Sequence, residues 1–282
     1  MSRSKRACIA KEMVEIVDRG WYDVEGVGRI NIRPQVEACL DATILLRPQD
    51  IAQVATNDAP ANRATRFEVC NETTLTAARR LVVEQANNNV LALNFASAKR
   101  PGGGFLGGSR AQEESLARSS ALHASLLMQP EYYETNRACG TAMYTDYMIL
   151  SPDVPVFRTD DGELLSEPYV VGMLTAPAVN AGAVKDNEPA NVNKVLPTMA
   201  RRIEQVLAAA VRHGYEHLVL GAWGCGVFRN DPEEIAELFA KPLQQDGAYA
   251  GVFRSVTFAV LDSSSDASTI GPFAGRFDRG RR

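Results

Sequence analysis

Two adjacent glutamates, Glu113 and Glu114, stand directly behind a glycine-dense segment that runs from Pro101 through Gly102, Gly103, Gly104, Gly107 and Gly108 to Gln112. Carboxyl groups can transfer protons to and from a sugar oxygen. Glycines at this density let a loop take positive φ values and press its backbone against a ligand, where an ordinary reverse turn needs one or two. Ser109 to Gln112 has the form of a capping box, which predicts a helix beginning just after Ser109. Adjacent helical residues point about 100° apart, so the pair cannot straddle a glycosidic bond as separated carboxylates do. A division of labour follows, with one glutamate moving a proton and its neighbour holding a sugar hydroxyl. Two forces then compete: a helix N-terminus lowers a carboxyl pKa, whereas a general acid needs it raised. The plainer alternative is that both glutamates only complement the helix dipole.

A second glycine segment, Gly221 to Asn230, contains Gly224, Cys225, Gly226, Val227 and Phe228. It follows the apolar run His217 to Trp223 and precedes Asp231-Pro232, an N-cap and a first-turn proline. A strand, a glycine loop and a helix in that order make an anion cradle, here suited to a diphosphate. The Gly-Lys-Ser/Thr ending of a nucleotide-triphosphate loop is absent. Phe228 reads equally as a surface for a ribose or base and as a core anchor. Cys225 has no His and acid near it in sequence, so it reads as a small residue in a tight loop rather than a nucleophile. Gly102, Gly104 and Gly107 formally fit a dinucleotide fingerprint, but no second strand ending in an acid follows, which ranks a nicotinamide enzyme low.

The elements that must position these loops follow from periodicity. Residues 5–19 place Ile9, Met13, Ile16 and Val17 on one helical stripe ended by Gly20. Residues 27–33 and 42–46 read as strands, 49–57 as a short helix, and 73–86 as a helix. Val90 to Phe95 is a continuous apolar strand of the kind buried on both faces. A helix is predicted from Ala111 to Met128, and a helix or turn over 130–138. Strands follow at 147–150 and 169–176, a long helix at 191–213, a helix from Pro232 and a last strand at 252–261. The polar tail after Ser263 is expected to lie on the surface or fray. Alternating helices and buried strands from 69 to 261 argue for an α/β sandwich with a largely parallel sheet. Pro60 marks the expected cut between an N-terminal accessory segment, 1–60, and a main domain, 61–282. A net charge of −4 over 282 residues excludes bulk attraction to nucleic acid or an anionic membrane. Five scattered cysteines and three histidines show no metal-ligand spacing and suit a reducing, cytoplasmic setting. No apolar run reaches membrane-spanning length.

Gly102-Gly103-Gly104, the seven residues Phe105 to Ala111, and Gln112-Glu113-Glu114 together resemble the signature of poly(ADP-ribose) glycohydrolases. The continuation Ser115 to Ser120 and the loop Gly221 to Asn230 are similar to the compact bacterial type, over about residues 5–277. The resemblance implies a three-layer α/β/α macrodomain with a mixed, largely parallel sheet. It also implies hydrolysis of the ribose–ribose bonds of poly(ADP-ribose), mainly from the chain end, with no metal or cofactor. Glu114 would be the acid and then the base. Glu113 would hold ribose hydroxyls, and Gln112 would position the pair. Gly103 and Gly104, with Gly224, Cys225, Gly226, Val227 and Phe228, would surround the diphosphate and its ribose. Asn94 lies in Leu93 to Ser97, which resembles a ribose-holding strand end. Ser97 stands where macrodomains often carry a second asparagine, which disfavours asparagine-type mono-ADP-ribose hydrolysis. Glu72 falls where macrodomains place an adenine-contacting acid. The implied partners are poly(ADP-ribose), ADP-ribose and poly(ADP-ribosyl)ated proteins, for a cytoplasmic monomer that reverses ADP-ribosylation. The alternatives are a non-catalytic ADP-ribose reader and a mono-ADP-ribose or O-acetyl-ADP-ribose hydrolase.

Overall fold

The computed structural model describes residues 1–51, 64–244 and 246–278. The chain opens with helix α1 (Arg3–Arg19), capped by the Ser2 hydroxyl and closed by left-handed Gly20. A small hairpin, β1 (Trp21–Val24) and β2 (Gly28–Asn31), leads to α2 (Arg33–Ala42), β3 (Ile44–Leu46) and α3 (Pro48–Ile51). The remainder of the expected helix 49–57, and the cut at Pro60, lie outside the described residues. Next come β4 (Arg66–Cys70), α4 (Thr74–Arg79) with a wider turn over 80–84, β5 (Val90–Phe95), α5 (Gln112–Ser119), α6 (Leu122–Leu127) and α7 (Pro130–Ala138). The long strands β6 (Met148–Arg158) and β7 (Leu164–Ala176) are followed by α8 (Ala181–Asn187), α9 (Val195–Arg212), β8 (His217–Leu220), α10 (Pro232–Leu243), β9 (Ser255–Ala259) and α11 (Ile270–Phe277).

Seven strands form one mixed sheet in the order β3-β6-β7-β5-β8-β9-β4. The five strands from β7 to β4 run parallel, and β6 is antiparallel to both its neighbours. A core lies on each face. Helices α9, α10 and α11 cover one with Met199, Ile203, Phe239 and Phe273. Helices α4 to α7 cover the other with Leu81, Leu116, Leu126 and Tyr132. The strand period divides β5 between them: Leu91 and Leu93 face the first core, Val90 and Ala92 the second. A third cluster joins Met13, Ile16 and Tyr22 of the N-terminal segment to Phe105 of the first glycine loop and Ala117 of α5.

Three expectations are corrected. The predicted helix 111–128 is two helices, because Ser120 is extended (φ −149°) and pairs with Val156 in a short β-bridge. Residues 33–42 form a helix that periodicity passed over, since only Val36 and Cys39 of it are buried. The tail after Ser263 does not fray: α11 buries Phe273 and Phe277 against Phe258 with ring centroids 5.3 and 4.2 Å away. Burying one such ring contributes about 2–3 kcal/mol.

Candidate active site

All five parallel strands end on the same side, and the loops that leave them converge there, as ligand sites of parallel α/β sheets require. The parity of β5 decides the first contact. Asn94 shares the face of Ala92, which is the face α5 packs on, and stands opposite Thr175 in the sheet register. Its Nδ2 donates to Thr175 Oγ1 (3.0 Å) and to Glu113 Oε1 (3.3 Å). Glu113 Oε2 accepts the Ser97 N–H at 2.7 Å, and the Gly102 N–H also reaches this carboxyl. Glu113 is only 3% exposed. Burial pushes its pKa up to about 8, and the neighbouring Glu114 adds to the rise, against the opposing hydrogen bonds from Ser97, Asn94 and Gly102. At Glu113, desolvation therefore outweighs the helix N-terminus.

Glu114 has the opposite setting. It is half-buried, its Oε1 accepts the Gly104 N–H at 3.0 Å, and its Oε2 has no protein partner among the described residues. Gly103 makes this possible. At φ +59°, a Cβ there would lie 2.5 Å from Glu114 Oε1 and 3.1 Å from Glu113 Oε2. The glycine thus leaves the volume that both carboxylates fill. The Gly103 and Gly104 N–H groups are already engaged, with Arg100 O (2.9 Å) and Glu114.

The capping box does not form. Helix α5 begins at Gln112 with Ala111 as an N-cap that makes no side-chain bond. The Gln112 amide turns to β5 instead: Oε1 accepts the Phe95 N–H (2.9 Å), and Nε2 donates to Leu93 O (2.8 Å) and Thr74 Oγ1 (3.0 Å). Gln112 thereby ties the start of α5, and the glutamates behind it, to the end of the central strand.

The second glycine loop is open. The N–H groups of Gly226, Val227 and Phe228 donate to no protein acceptor among the described residues, and Val227 is 86% exposed. Three consecutive N–H groups left open in this way can donate together to an anion. The loop is set from behind: Asn230 N–H and Nδ2 both bond Gly224 O at 3.1 Å, and Asn230 Nδ2 reaches Val179 O at 2.8 Å. Asp231 caps α10 through the Glu233 N–H at 2.8 Å, as expected. Phe228 rests half-buried on the core with its ring 6.0 Å from that of Tyr144. Burial pushes the Cys225 thiol up to about 12, which removes any thiolate nucleophile at neutral pH.

Between the loops lies a cavity of about 360 Å³ whose walls include Glu72, Thr74, Phe95, Gln112, Cys225, Gly226 and Leu261. Glu72 holds its place there by an ion pair with Arg80 at 2.7 Å. Asp160 also lines this cavity, bonded by the Thr73 hydroxyl at 2.5 Å. Sequence reading missed it, because Asp160-Asp161-Gly162 carries only the composition of a turn. Tyr144 was missed too, and its one signature, a left-handed φ of +57°, is a backbone property.

A mixed seven-stranded sheet between two helical layers, with an acid pair and an open glycine loop at the carboxyl edge of its parallel strands, defines the class as macrodomain-type α/β/α sandwiches. The comparisons place the chain within it. The family described as "Microbial-type PARG, catalytic domain" matches residues 10–159. The poly(ADP-ribose) glycohydrolase of Thermomonospora curvata, solved with the inhibitor ADP-HPD, is 46% identical over 97% of this chain and 100% of that one, with a TM-score of 0.90. The glycohydrolase of Deinococcus radiodurans, solved with ADP-ribose, is 45% identical over 88% of this chain and 99% of that one, with a TM-score of 0.82. No curated protein matches the chain. The chain belongs to the microbial-type poly(ADP-ribose) glycohydrolase family.

Proposed function

We propose that this protein hydrolyses the ribose–ribose O-glycosidic bonds of poly(ADP-ribose), mainly from the chain end, and releases ADP-ribose. The adenosine of the terminal unit occupies the cavity beside Glu72, Phe95 and Leu261, and its diphosphate takes the free N–H groups of Gly226, Val227 and Phe228. The distal ribose then meets the glutamates. Glu114 gives its proton to the leaving 2′-oxygen as the bond from the anomeric carbon breaks. The resulting carboxylate takes a proton from the water that attacks the oxocarbenium-like carbon, which restores the acid and completes one ADP-ribose. Glu113 holds ribose hydroxyls and braces the Ser97 and Gly102 N–H groups around them. Asn94 steadies Glu113, and Gln112 positions both acids.

The observation that carries this reading is the asymmetry of the pair: Glu113 is enclosed by donors, while Glu114 is pinned by one oxygen and offers the other. The division into an accessory segment, 1–60, and a catalytic domain, 61–282, is kept with one change: α1 packs on the first glycine loop, while β3 already belongs to the main sheet as its edge strand. The working partners are poly(ADP-ribosyl)ated proteins. Five unpaired cysteines support a cytoplasmic place for a monomer that reverses ADP-ribosylation, including that following DNA damage. Among the described residues no helix is long and apolar enough to cross a membrane.

Incubation with purified polymer, without metal or cofactor, tests the proposal. Free ADP-ribose is the expected product, without accumulation of short oligomers. Glu114→Ala should lower turnover by about 10³-fold or more while retaining ADP-ribose binding. Tight ADP-ribose binding with no release by the wild type would instead identify a reader, and release that survives Glu114→Ala would remove that residue from its role.

A further inference from the structure

The scissile bond has two sides, and only one is accounted for by the cavity and the second glycine loop. In poly(ADP-ribose) the leaving oxygen belongs to the adenosine ribose of the next unit, so the leaving group carries its own diphosphate. Three cations cluster outside that cavity, on and beside the turn whose N–H groups hold the glutamates. The turn carrying Lys99 and Arg100 starts at Ser97, whose N–H holds Glu113 and whose Oγ accepts the backbone N–H groups of Lys99 and Arg100 (3.3 and 3.2 Å), leaving both cationic side chains free of it. It ends at Gly103, whose N–H bonds Arg100 O at 2.9 Å. Arg137 of α7 joins them by donating to Lys99 O at 2.9 Å. None of the three lines the 360 Å³ cavity.

All three are exposed, and none forms an ion pair among the described residues, in a chain whose net charge is −4. Lys99 Nζ is held 5.9 Å above the Tyr144 ring. The Tyr144 backbone is left-handed and is fixed from beneath by the fully buried Arg202, which donates to Tyr144 O (3.1 Å) and Met143 O (2.7 Å) and pairs with Asp146 (2.8 Å).

Resting on the glycohydrolase reading, we propose that Lys99, Arg100 and Arg137 bind the diphosphate of the polymer unit that departs. These residues thus distinguish a polymeric substrate from a simple ADP-riboside. The test compares poly(ADP-ribose) with an ADP-riboside whose leaving group is an uncharged aryl alcohol. Lys99→Ala/Arg100→Ala and Arg137→Ala should each lower kcat/KM for polymer, by about tenfold and about threefold, and flatten its dependence on salt. The aryl riboside should be cleaved at the wild-type rate within about twofold, which also reports intact folding. Equal losses on both substrates, or no loss on polymer, would overturn the subsite. A wild-type protein that cleaves neither substrate would instead overturn the glycohydrolase reading, and the subsite with it.

Discussion

The two glycine loops share a composition and differ in what fills them. In the first, the room left by Gly103 is occupied by Glu114, Phe105 is buried, and the carbonyls of Gly107 and Gly108 are gripped by Arg3 (3.0 Å) and Arg6 (2.8 Å) of α1. In the second, a Cβ on Gly226 would meet nothing within 4 Å, and three successive N–H groups point at no protein acceptor among the described residues. One loop uses glycine to let the protein crowd its own carboxylates, and the other to leave backbone N–H groups open, the seat proposed for the diphosphate. Chemistry needs the first arrangement, because a reacting group must be held before substrate arrives. Binding needs the second.

The comparison breaks most sharply at Gly103. Gly103→Ala would force Glu114 aside from a site where its Oε1 lies 2.5 Å from the new atom. Turnover should fall by about 10²-fold or more with ADP-ribose affinity nearly unchanged, as followed by polymer hydrolysis and calorimetry. Unchanged turnover would mean that the carboxylate is not fixed by this loop.

The enclosed carboxyl gives the next effect. Glu113 has a folded pKa of about 8 against an ordinary 4.5, so the native state keeps a proton that the unfolded chain loses between those pH values. Stability therefore falls as pH rises through that window, by on the order of 3 kcal/mol up to pH 7, and is free of this penalty below it. Urea unfolding of wild type and Glu113→Gln at pH 5 and pH 8 should show the wild type losing ground only at the higher pH. Parallel curves would contradict the burial argument.

At the open loop, Gly226→Val adds a side chain where the protein has no atoms and the backbone φ is not left-handed. Its thermal midpoint should match wild type, while ADP-ribose binding weakens by about tenfold, or roughly 1.4 kcal/mol. Normal affinity would count against a diphosphate at this loop. The smallest change belongs to the outer grip on the first loop. Arg6→Ala removes the bond to Gly108 O and a second, exposed one to Met1 O, and should cost about 1 kcal/mol of stability with a few-fold loss of turnover, measured by thermal unfolding and by rate.

Local patterns were legible where neighbours in sequence are also neighbours in space. The stripe of α1, the buried strand β5 and the strand–loop–cap order around β8 and α10 could all be read along the chain. Pairing across the sheet could not. Ser120 looks helical until Val156 is beside it, and Gln112 looks like a cap partner for Ser109 until α5 lies across β5 and offers it Phe95 and Leu93. The strand expected at 147–150 runs on to Arg158, and β3 covers only Met148 to Leu150 of it, so Pro152 and Pro155 fall beyond the stretch that β3 pairs. At the site, the acids stood out by their glycine setting. Their unequal burial depends on Asn94 and Ser97 closing over only one of them, which spacing alone does not encode.

The grip of α1 on residues about a hundred positions downstream has a consequence for biosynthesis. The helix leaves the ribosome before Gly107 and Gly108 exist, so its grip on the first glycine loop closes only after that loop has been made. Proteolytic nicking within α1 should then yield a species that still captures ADP-ribose yet hydrolyses polymer sluggishly, a ready-made trap for following polymer ends.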